Sequence, residues 1–397
     1  MKRVVRVKLM PSPEQSLVLA HTLETINAAA CEVARIAREE REFHKFGLRK
    51  HTYTQIRERY GLGSQVAQLV ITKVADAHRT HRSNLNNGHY GKRGTERRAK
   101  AESKVIVFRP HGAQAFDARV LSWKHEARTV SIWTTQGRMI VRFVGRGSDL
   151  ELLAANKIGE ADLVERNGNW YLLATVTTAD IEVAEPDGFI GVDMGIVTIA
   201  ATEAVTNAGA HTPGAGGDWS GGAVTRRRHT NRRQRQRLQA KGTKSAKRLL
   251  KKRARKEARF VTDVNHQISK QIVTEAQRTG RGIAVEDLVG IRARVRLRKP
   301  QRVTLHSWAF AQLGQFLAYK AEAAGVAFVD VNPAYTSQTC SVCARVDKKA
   351  RVNQATYACT NNECGVSLNA DHNAAINIAR KGVSRWGDVN RPYAVAA

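Results

Sequence analysis

Four cysteines near the end of the chain have the spacing of a metal site. Two residues separate Cys340 from Cys343, four separate Cys359 from Cys364, and fifteen lie between the two pairs. Thiolates on two such turns can surround one tetrahedral Zn²⁺ at about 2.3 Å each, which leaves no open coordination position. We therefore predict one structural zinc ion, because four free thiols or a disulfide would not explain the paired spacing.

Three carboxylates in separate parts of the chain predict a second metal site. Asp193 lies in the apolar run FIGVDMG, Glu286 ends the run GIAVE, and Asp371 opens a helix-like run just after the cysteines. A lone buried carboxylate is costly unless it is paired or bound to a metal. Mg²⁺ prefers oxygen ligands, and two Mg²⁺ ions about 3.5–4 Å apart can support phosphodiester hydrolysis. We predict that Asp193, Glu286 and Asp371 are catalytic and hold two Mg²⁺ ions.

Two further acids compete for a place in this site. Asp287 follows Glu286 directly, and Asp330 lies in the apolar run VAFVDV. Neighbouring side chains on a strand face opposite sides, so only one of Glu286 and Asp287 can point at the metals. We assign Glu286 to the site and give Asp330 a structural or supporting role.

The charge of the chain indicates a polyanionic partner. The 397 residues include 65 Lys and Arg against 35 Asp and Glu, for a formal net charge of +30. This excess favours nucleic acid over a membrane surface, although a merely basic or ribosome-associated protein is the alternative. The segment 226–259 holds 17 Lys or Arg and one acid, and arginines recur at every second position of 292–298. The candidate nucleic-acid contacts are Arg226, Arg227, Arg228, Arg232, Arg233, Lys247, Arg248, Lys251, Lys252, Arg292 and Arg294.

The same sequence argues against export and membrane insertion. Charges interrupt the apolar residues at the N-terminus, and no run of about eighteen apolar residues occurs. Five cysteines, four of them in paired spacing, fit a reducing compartment and metal binding. We expect a cytoplasmic protein of a prokaryote.

The order of the elements predicts an α+β chain of several domains. Lys2 to Leu9 alternates like a strand, and Ser12, Pro13 and Gln15 form a helix start with a capping box. Short β-like runs fill 104–178, beginning with KVIVFRP and including the hairpin signal Asn167-Gly168. A linker follows at 184–188, and the glycine-rich stretch 206–222 is expected to be a loop.

Several motifs together resemble the TnpB family of transposon-encoded RNA-guided DNA nucleases, which is related to the compact type V CRISPR effectors. They are GVDMG, AVEDL, HSWAFAQLGQFLAYKAEAAG, TSQTCSVC and CGVSLNADHNAAINIAR. The resemblance implies a RuvC-like nuclease of the RNase H fold whose acids match Asp193, Glu286 and Asp371. It also implies a zinc-bearing target-nucleic-acid-binding insert, an N-terminal wedge barrel and a helical recognition lobe.

The expected domain boundaries follow from the elements and the resemblance together. They are a wedge barrel at 1–12 and 101–185, a helical recognition lobe at 13–100, a RuvC-like domain at 186–334 and 366–382, a zinc ribbon at 335–365, and a disordered tail at 383–397.

The predicted function is RNA-guided cleavage of DNA by metal-dependent phosphodiester hydrolysis at one site. The expected partners are a guide RNA and double-stranded target DNA with a short flanking motif, bound by a monomer. A transposon-encoded nuclease and a small CRISPR effector both fit. The alternatives are an RNA-guided DNA-binding regulator without cleavage, a guide-independent RNase H-like nuclease, and a zinc-ribbon RNA-binding module whose acids are only structural.

Overall fold

The computed structural model describes residues 1–195, 197–288 and 310–390, and the chain divides into two compact units. The first unit is Met1–Asp180 and the second begins at Ile181. Each unit combines helices with a sheet, so the predicted α+β class is confirmed. No helix in the described ranges is long and apolar enough to cross a membrane.

The first unit contains a near-closed antiparallel barrel of seven strands in the order β2-β6-β7-β1-β5-β4-β3. The N-terminal strand pairs with β7 along its whole length and with β5 at its end, so it completes the barrel as the sequence predicted. The strands are β1 (Lys2–Leu9), β2 (Gln114–Phe116), β3 (Leu121–Lys124), β4 (Thr129–Thr134), β5 (Gly137–Val144), β6 (Lys157–Arg166) and β7 (Asn169–Thr177).

A helical region interrupts the barrel sequence after β1. Its first helix begins as predicted, with Pro13 in the first turn and a complete capping box between Ser12 and Gln15. The helices of this unit are α1 (Pro13–Glu39), α2 (Lys45–Tyr60), α3 (Ser64–Asn86), α4 (Glu96–Ser103) and α5 (Gly147–Ala155). Buried apolar side chains of α1, α2 and α3 join those of the barrel in one core.

Two local predictions in this unit had opposite outcomes: one hairpin turn is confirmed, and one predicted strand is wrong. Asn167 and Gly168 both have positive φ, at 57° and 76°, and connect β6 to β7 in a tight hairpin. The run KVIVFRP, the first of the β-like runs predicted in 104–178, forms no strand. Ile106 and Phe108 instead pack against the core from an extended segment without a ladder partner, so an apolar pattern occurs here without a sheet.

The second unit is built on a mixed five-stranded sheet in the order β10-β9-β8-β11-β12. The β8–β9 and β9–β10 pairs are antiparallel, whereas β8–β11 and β11–β12 are parallel. The strands are β8 (Gly188–Asp193), β9 (Thr198–Thr206), β10 (His211–Ser220), β11 (Gly282–Glu286) and β12 (Phe328–Val331).

The glycine-rich stretch predicted to be a loop contains an edge strand. β10 pairs with β9 through two irregularities of register, and its glycines lie within or at the end of the first one, between Thr212 and Gly217. Glycine is unfavourable in a regular strand but tolerates the unusual backbone of a bulge, so the backbone pairing determines this strand rather than side-chain preference.

Helices cover both faces of this sheet. The helices are α6 (Gly222–Lys241), α7 (Lys244–Arg278), α8 (Phe310–Ala324) and α9 (Ala370–Asn390). Apolar residues of α7 and α8 pack on one face, and those of α9 pack on the other. The tail that was expected to be disordered from 383 onwards is helical as far as Asn390, so its first part belongs to α9. Val383 and Trp386 pack there on the apolar cluster around Phe189.

The cysteine-bearing segment between β12 and α9 is a small folded body. It contains a two-stranded sheet of β13 (Thr356–Ala358) and β14 (Ser367–Asn369) and one 3₁₀ turn at Lys348–Ala350. Its core is small, with buried Cys340, Ala350, Tyr357 and Ala370. A core of this size needs a further cross-link, and a metal ion is the usual one.

Candidate functional site

The alternation of side chains along the sheet places the first two predicted acids on one face. In β8, Ile190 and Val192 pack towards α7 and α8, whereas Phe189 packs towards α9. Asp193 therefore belongs to the α9 face, four residues beyond Phe189. In β11, Ala284 packs towards α9, so Glu286 shares that face. The parallel register that pairs Val192 with Val285 places Asp193 and Glu286 side by side one residue further on.

A glycine brings the third acid to the same face. A Cβ atom on Gly191 would lie 2.0 Å from the carbonyl oxygen of Ala375 and 2.5 Å from the nitrogen of Ala379. Helix α9 therefore rests directly on the backbone of β8, which no side chain at 191 would permit. Asp371 lies in the first turn of this helix.

Electrostatics show that the three carboxylates share one environment. Burial raises the pKa of Asp193, and the charges of Glu286 and Asp371 raise it further, to about 7. Burial also raises the pKa of Glu286. A carboxylate whose ionisation is opposed by neighbouring negative charges is stabilised by a proton or by a nearby cation. In the described ranges only the four cysteines place three or more ligand atoms within 4.8 Å of one another, so the carboxylates are more widely spaced than the shell of one ion.

The two adjacent acids at the end of β11 have different surroundings. Glu286 accepts a hydrogen bond from the Thr336 hydroxyl at 2.5 Å and raises the pKa of Asp193. Asp287 instead acts on Asp330, whose pKa is raised by burial and by the charge of Asp287. The strand thus separates the two as its alternation requires, with Asp330 on the side of Asp287.

Arg351 brings a positive charge to the site that the spacing of motifs did not reveal. Its Nη2 lies 3.3 Å from Oδ1 of Asp371, and its charge lowers the pKa of Asp193. Arg351 belongs to the cysteine-bearing segment, twenty residues before its partner. One arginine among many basic residues has no distinguishing sequence signal, so only the fold identifies it.

A second missed cluster anchors the start of α9. The Nδ1 atom of His372 lies 2.5 Å from Oε1 of Glu203, and its Nε2 atom lies 2.9 Å from Oδ2 of Asp218. The other carboxylate oxygen of Glu203, Oε2, lies 2.8 Å from Nε2 of His211. Burial lowers the pKa of His372, but the hydrogen bonds to the two carboxylates outweigh it and raise that pKa. These contacts tie the residue after Asp371 to β9 and β10.

The four predicted zinc ligands come together as expected. The Sγ atoms of Cys340 and Cys364 are 3.8 Å apart, and those of Cys343 and Cys359 are 3.6 Å apart. Sulfur atoms around a tetrahedral Zn²⁺ at 2.3 Å are about 3.8 Å apart, whereas a disulfide needs about 2.05 Å. The backbone N–H of Arg345 also lowers the pKa of the Cys343 thiol, which favours the thiolate that binds metal. The cluster therefore fits one zinc ion.

The predicted nucleic-acid contacts within the described ranges lie on an antiparallel helical pair. Gly242, with φ of 64°, ends α6, and the Thr243 hydroxyl caps α7. Eight of the nine candidates on these helices are exposed, and Arg228 is half-buried beside α7. Arg292 and Arg294 lie outside the described residues.

Comparison with known proteins matches the cysteine-bearing segment and the helix that carries Asp371. A model of the Cas12f1-like TNB domain matches residues 310–378, which include the four cysteines and Asp371. The CRISPR-associated endodeoxyribonuclease Cas12f1 of Sulfoacidibacillus thermotolerans is 34% identical over 228 residues, covering 54% of this chain and 51% of the relative. A TnpB-like protein of Methanocaldococcus jannaschii is 34% identical over 137 residues, covering 34% of this chain and 48% of the relative. The chain is similar in sequence to members of the Cas12f/TnpB family.

Solved structures with a similar fold cover most of the chain. Cas12f1 in a cryo-EM structure of a Cas12f1–sgRNA–target DNA complex has a TM-score of 0.56 at 13% identity, covering 91% of this chain and 82% of that one. The mini-RNA-guided endonuclease CRISPR-Cas_phi3 has a TM-score of 0.54 at 9% identity, covering 96% and 92%. In sequence, the chain spans about half the length of the Cas12f1 and TnpB-like relatives named above.

Proposed function

We propose that the protein is an RNA-guided, Mg²⁺-dependent DNA endonuclease with a single RuvC-like site of the RNase H fold. One observation carries the proposal: Asp193 and Glu286 lie on the sheet face covered by α9, the helix that bears Asp371, and the charges of Glu286 and Asp371 raise the pKa of Asp193. Relatives of this family include endodeoxyribonucleases, which supports cleavage over a purely structural use of the acids.

Each side chain has a defined task in this proposal. Asp193, at the centre, and Glu286 and Asp371, on either side, would hold two Mg²⁺ ions that supply charge neutralisation and an activated water for phosphodiester hydrolysis. Arg351 would place a fixed positive charge beside the scissile phosphate, where negative charge develops. The cysteines would hold one structural zinc in a target-nucleic-acid-binding ribbon at 335–365.

The partners follow from charge and from the relatives. The exposed basic residues of α6 and α7 would contact the phosphates of a guide RNA or of target DNA. Base pairing by the guide would select the sequence, while the protein reads a short flanking motif in double-stranded DNA. The barrel unit would supply the wedge, and its helices the recognition lobe. We further propose a monomer acting in prokaryotic cytoplasm.

The adjacent acids of β11 provide a matched test. The RNA that co-purifies with the protein is sequenced, and a plasmid carrying the matching target is incubated with the complex and Mg²⁺. Asp193→Ala and Glu286→Ala should each lower the cleavage rate by at least about 100-fold, because each removes an oxygen ligand of the catalytic ions. Asp287→Ala should cleave like the wild type, because its side chain acts on Asp330.

Binding is measured separately, with labelled target and without divalent cations. All three variants should bind guided target as the wild type does. Cleavage by Asp193→Ala would contradict the site assignment. Target binding without cleavage by the wild type would show the DNA-binding regulator instead, and cleavage after removal of the RNA would show a guide-independent nuclease.

A further inference from the structure

The loop between β12 and the first cysteine contains a buried threonine that contacts the proposed site. The Thr336 side chain is 3% exposed, and its hydroxyl lies 2.5 Å from Oε1 of Glu286 and 3.0 Å from the carbonyl oxygen of Pro333. A hydroxyl has one proton to donate, and the shorter, charge-assisted bond to the carboxylate is the stronger of the two. The Thr336 hydroxyl therefore fixes one oxygen of Glu286 and, with it, the orientation of the carboxylate.

The backbone of Thr336 is held in turn by α9. The Asn377 amide donates to the carbonyl oxygen of Thr336 at 2.9 Å and to that of Thr339 at 2.7 Å. Asn377 is 6% exposed, so these bonds form where an unpaired amide would be costly. Asn373, one turn earlier, donates to the carbonyl oxygen of Thr339 and accepts a hydrogen bond from the backbone N–H of Ser341. It therefore holds the residues on both sides of Cys340.

These contacts join three parts of the unit through side chains that are neither zinc ligands nor proposed Mg²⁺ ligands. Asp371, Asn373 and Asn377 lie on the same helix. The asparagines hydrogen-bond the backbone of the loop that leads into the first cysteine turn. From that loop, the Thr336 hydroxyl in turn hydrogen-bonds Glu286. A carboxylate ligand with a fixed hydrogen-bond partner loses less freedom when it binds a cation.

We propose that Thr336 is a positioning residue that orients Glu286 for its divalent cation, and that Asn377 acts through Thr336 by seating its backbone. The proposal rests on the proposed function, since it assumes that Glu286 binds a metal. A role limited to satisfying buried polar groups would affect folding without a specific effect on the affinity for the cation.

The test measures metal binding rather than cleavage. Mn²⁺ is used as a paramagnetic substitute for Mg²⁺, and its binding to the full-length protein is followed by the loss of the free-ion EPR signal. Thr336→Val keeps the shape of the side chain but removes its donor, and it should weaken Mn²⁺ binding about 10- to 100-fold. Thr336→Ser keeps the donor and should retain wild-type affinity.

Two controls separate positioning from folding. Thr339→Val makes the same change three residues away, where the hydroxyl donates to the carbonyl oxygen of Tyr335, and it should leave Mn²⁺ binding unchanged. Co²⁺ bound to the cysteines should give the same absorption spectrum in Thr336→Val as in the wild type. Asn377→Ala should weaken Mn²⁺ binding too, and combining it with Thr336→Val should add little, because the two act in series.

Asp193→Ala defines the background and distinguishes the two ways of failing. Wild-type Mn²⁺ binding above this background, matched by Thr336→Val, would overturn the role of Thr336 and leave the proposed function standing. Wild-type binding no greater than that of Asp193→Ala would overturn the carboxylate site itself, and the role of Thr336 with it.

Discussion

Asp193 is the residue at which the electrostatics of the site are concentrated. It ends a strand whose other residues are buried, and the negative charges of Glu286 and Asp371 act on it. The pKa of about 7 means that the acid retains a proton over a range in which an exposed aspartate would be ionised. Arg351 partly opposes this effect, because its charge lowers the pKa of Asp193.

This shift predicts how pH affects stability in the absence of metal. Between the unfolded value of 3.8 and about 7, the folded protein binds more protons at Asp193 than the unfolded chain does. The free energy of unfolding should therefore fall as pH rises through this window, and the fall should level off once the pH has passed the folded pKa of about 7. Asp193→Asn removes the titrating group and should raise the stability at pH 8 by on the order of 2 kcal/mol. Chemical denaturation at pH 5 and pH 8 measures both changes.

Mg²⁺ competes with that proton, which gives a second readout on the same proteins. Saturating Mg²⁺ should raise the melting temperature of the wild type more at pH 8 than at pH 5, because binding must displace the proton at the lower pH. Asp193→Asn should show little stabilisation by Mg²⁺ at either pH. An equal effect of Mg²⁺ on the two proteins would contradict a role for Asp193 in binding the ion.

At the scale of elements, the contact between α9 and β8 decides where Asp371 lies. Gly191→Ala places a methyl group against the helix backbone, so the helix must move away from the sheet. We expect a loss of about 1–3 kcal/mol in the free energy of unfolding, as in other overpacked cores. We also expect weaker cleavage, because Asp371 moves with the helix. Urea denaturation and the plasmid-cleavage assay measure the two effects.

Gly314 provides the matched control. It lies within α8, where an added Cβ would contact nothing within 4 Å. Gly314→Ala should stabilise the protein by up to about 1 kcal/mol, because alanine is the better helix former. If Gly191→Ala were as well tolerated as Gly314→Ala, the close approach of α9 would not hold.

The sequence correctly predicted the features that depend on residues close together in the chain. The capping box at Ser12, the Asn167-Gly168 hairpin and the pairing of the cysteines all depend on neighbours in the chain, and all were correct. The acids could be proposed from the sequence because Asp193 lies in an apolar run, Glu286 ends one, and Asp371 opens a helix-like run. Arg351 was missed because nothing in the sequence distinguishes it from the other arginines, and Glu203 and Asp218 were missed because their partner His372 comes from a distant segment. The Glu203–His372 contact, for instance, joins residues 169 positions apart. β10 was missed because backbone pairing with β9 overrides the preferences of its glycines.

At the scale of the whole molecule, the net charge of +30 attracts any nucleic acid, whatever its sequence. Part of that charge lies on α7 as a strip, since Lys247, Arg248, Lys251 and Lys252 occupy positions i, i+1, i+4 and i+5 and are all exposed. Like charges four residues apart destabilise an isolated helix by a few tenths of a kcal/mol. A strip that costs helix stability is explained if it binds a polyanion.

The strip predicts a specific change in salt dependence. Replacing all four residues by Gln should reduce the steepness with which binding to a short, non-target DNA duplex falls with salt. Each lost phosphate contact lowers the slope of log K against log salt by about 0.9, so four contacts would lower it by about 3.6. Fluorescence anisotropy over a series of salt concentrations measures the slope.

Swapping Lys and Arg at the same four positions keeps the charge and should keep the slope. Because the Gln variant relieves like-charge repulsion, it should melt no earlier than the wild type, so weaker binding could not be attributed to unfolding. An unchanged slope in the Gln variant would mean that the duplex does not contact this face of α7.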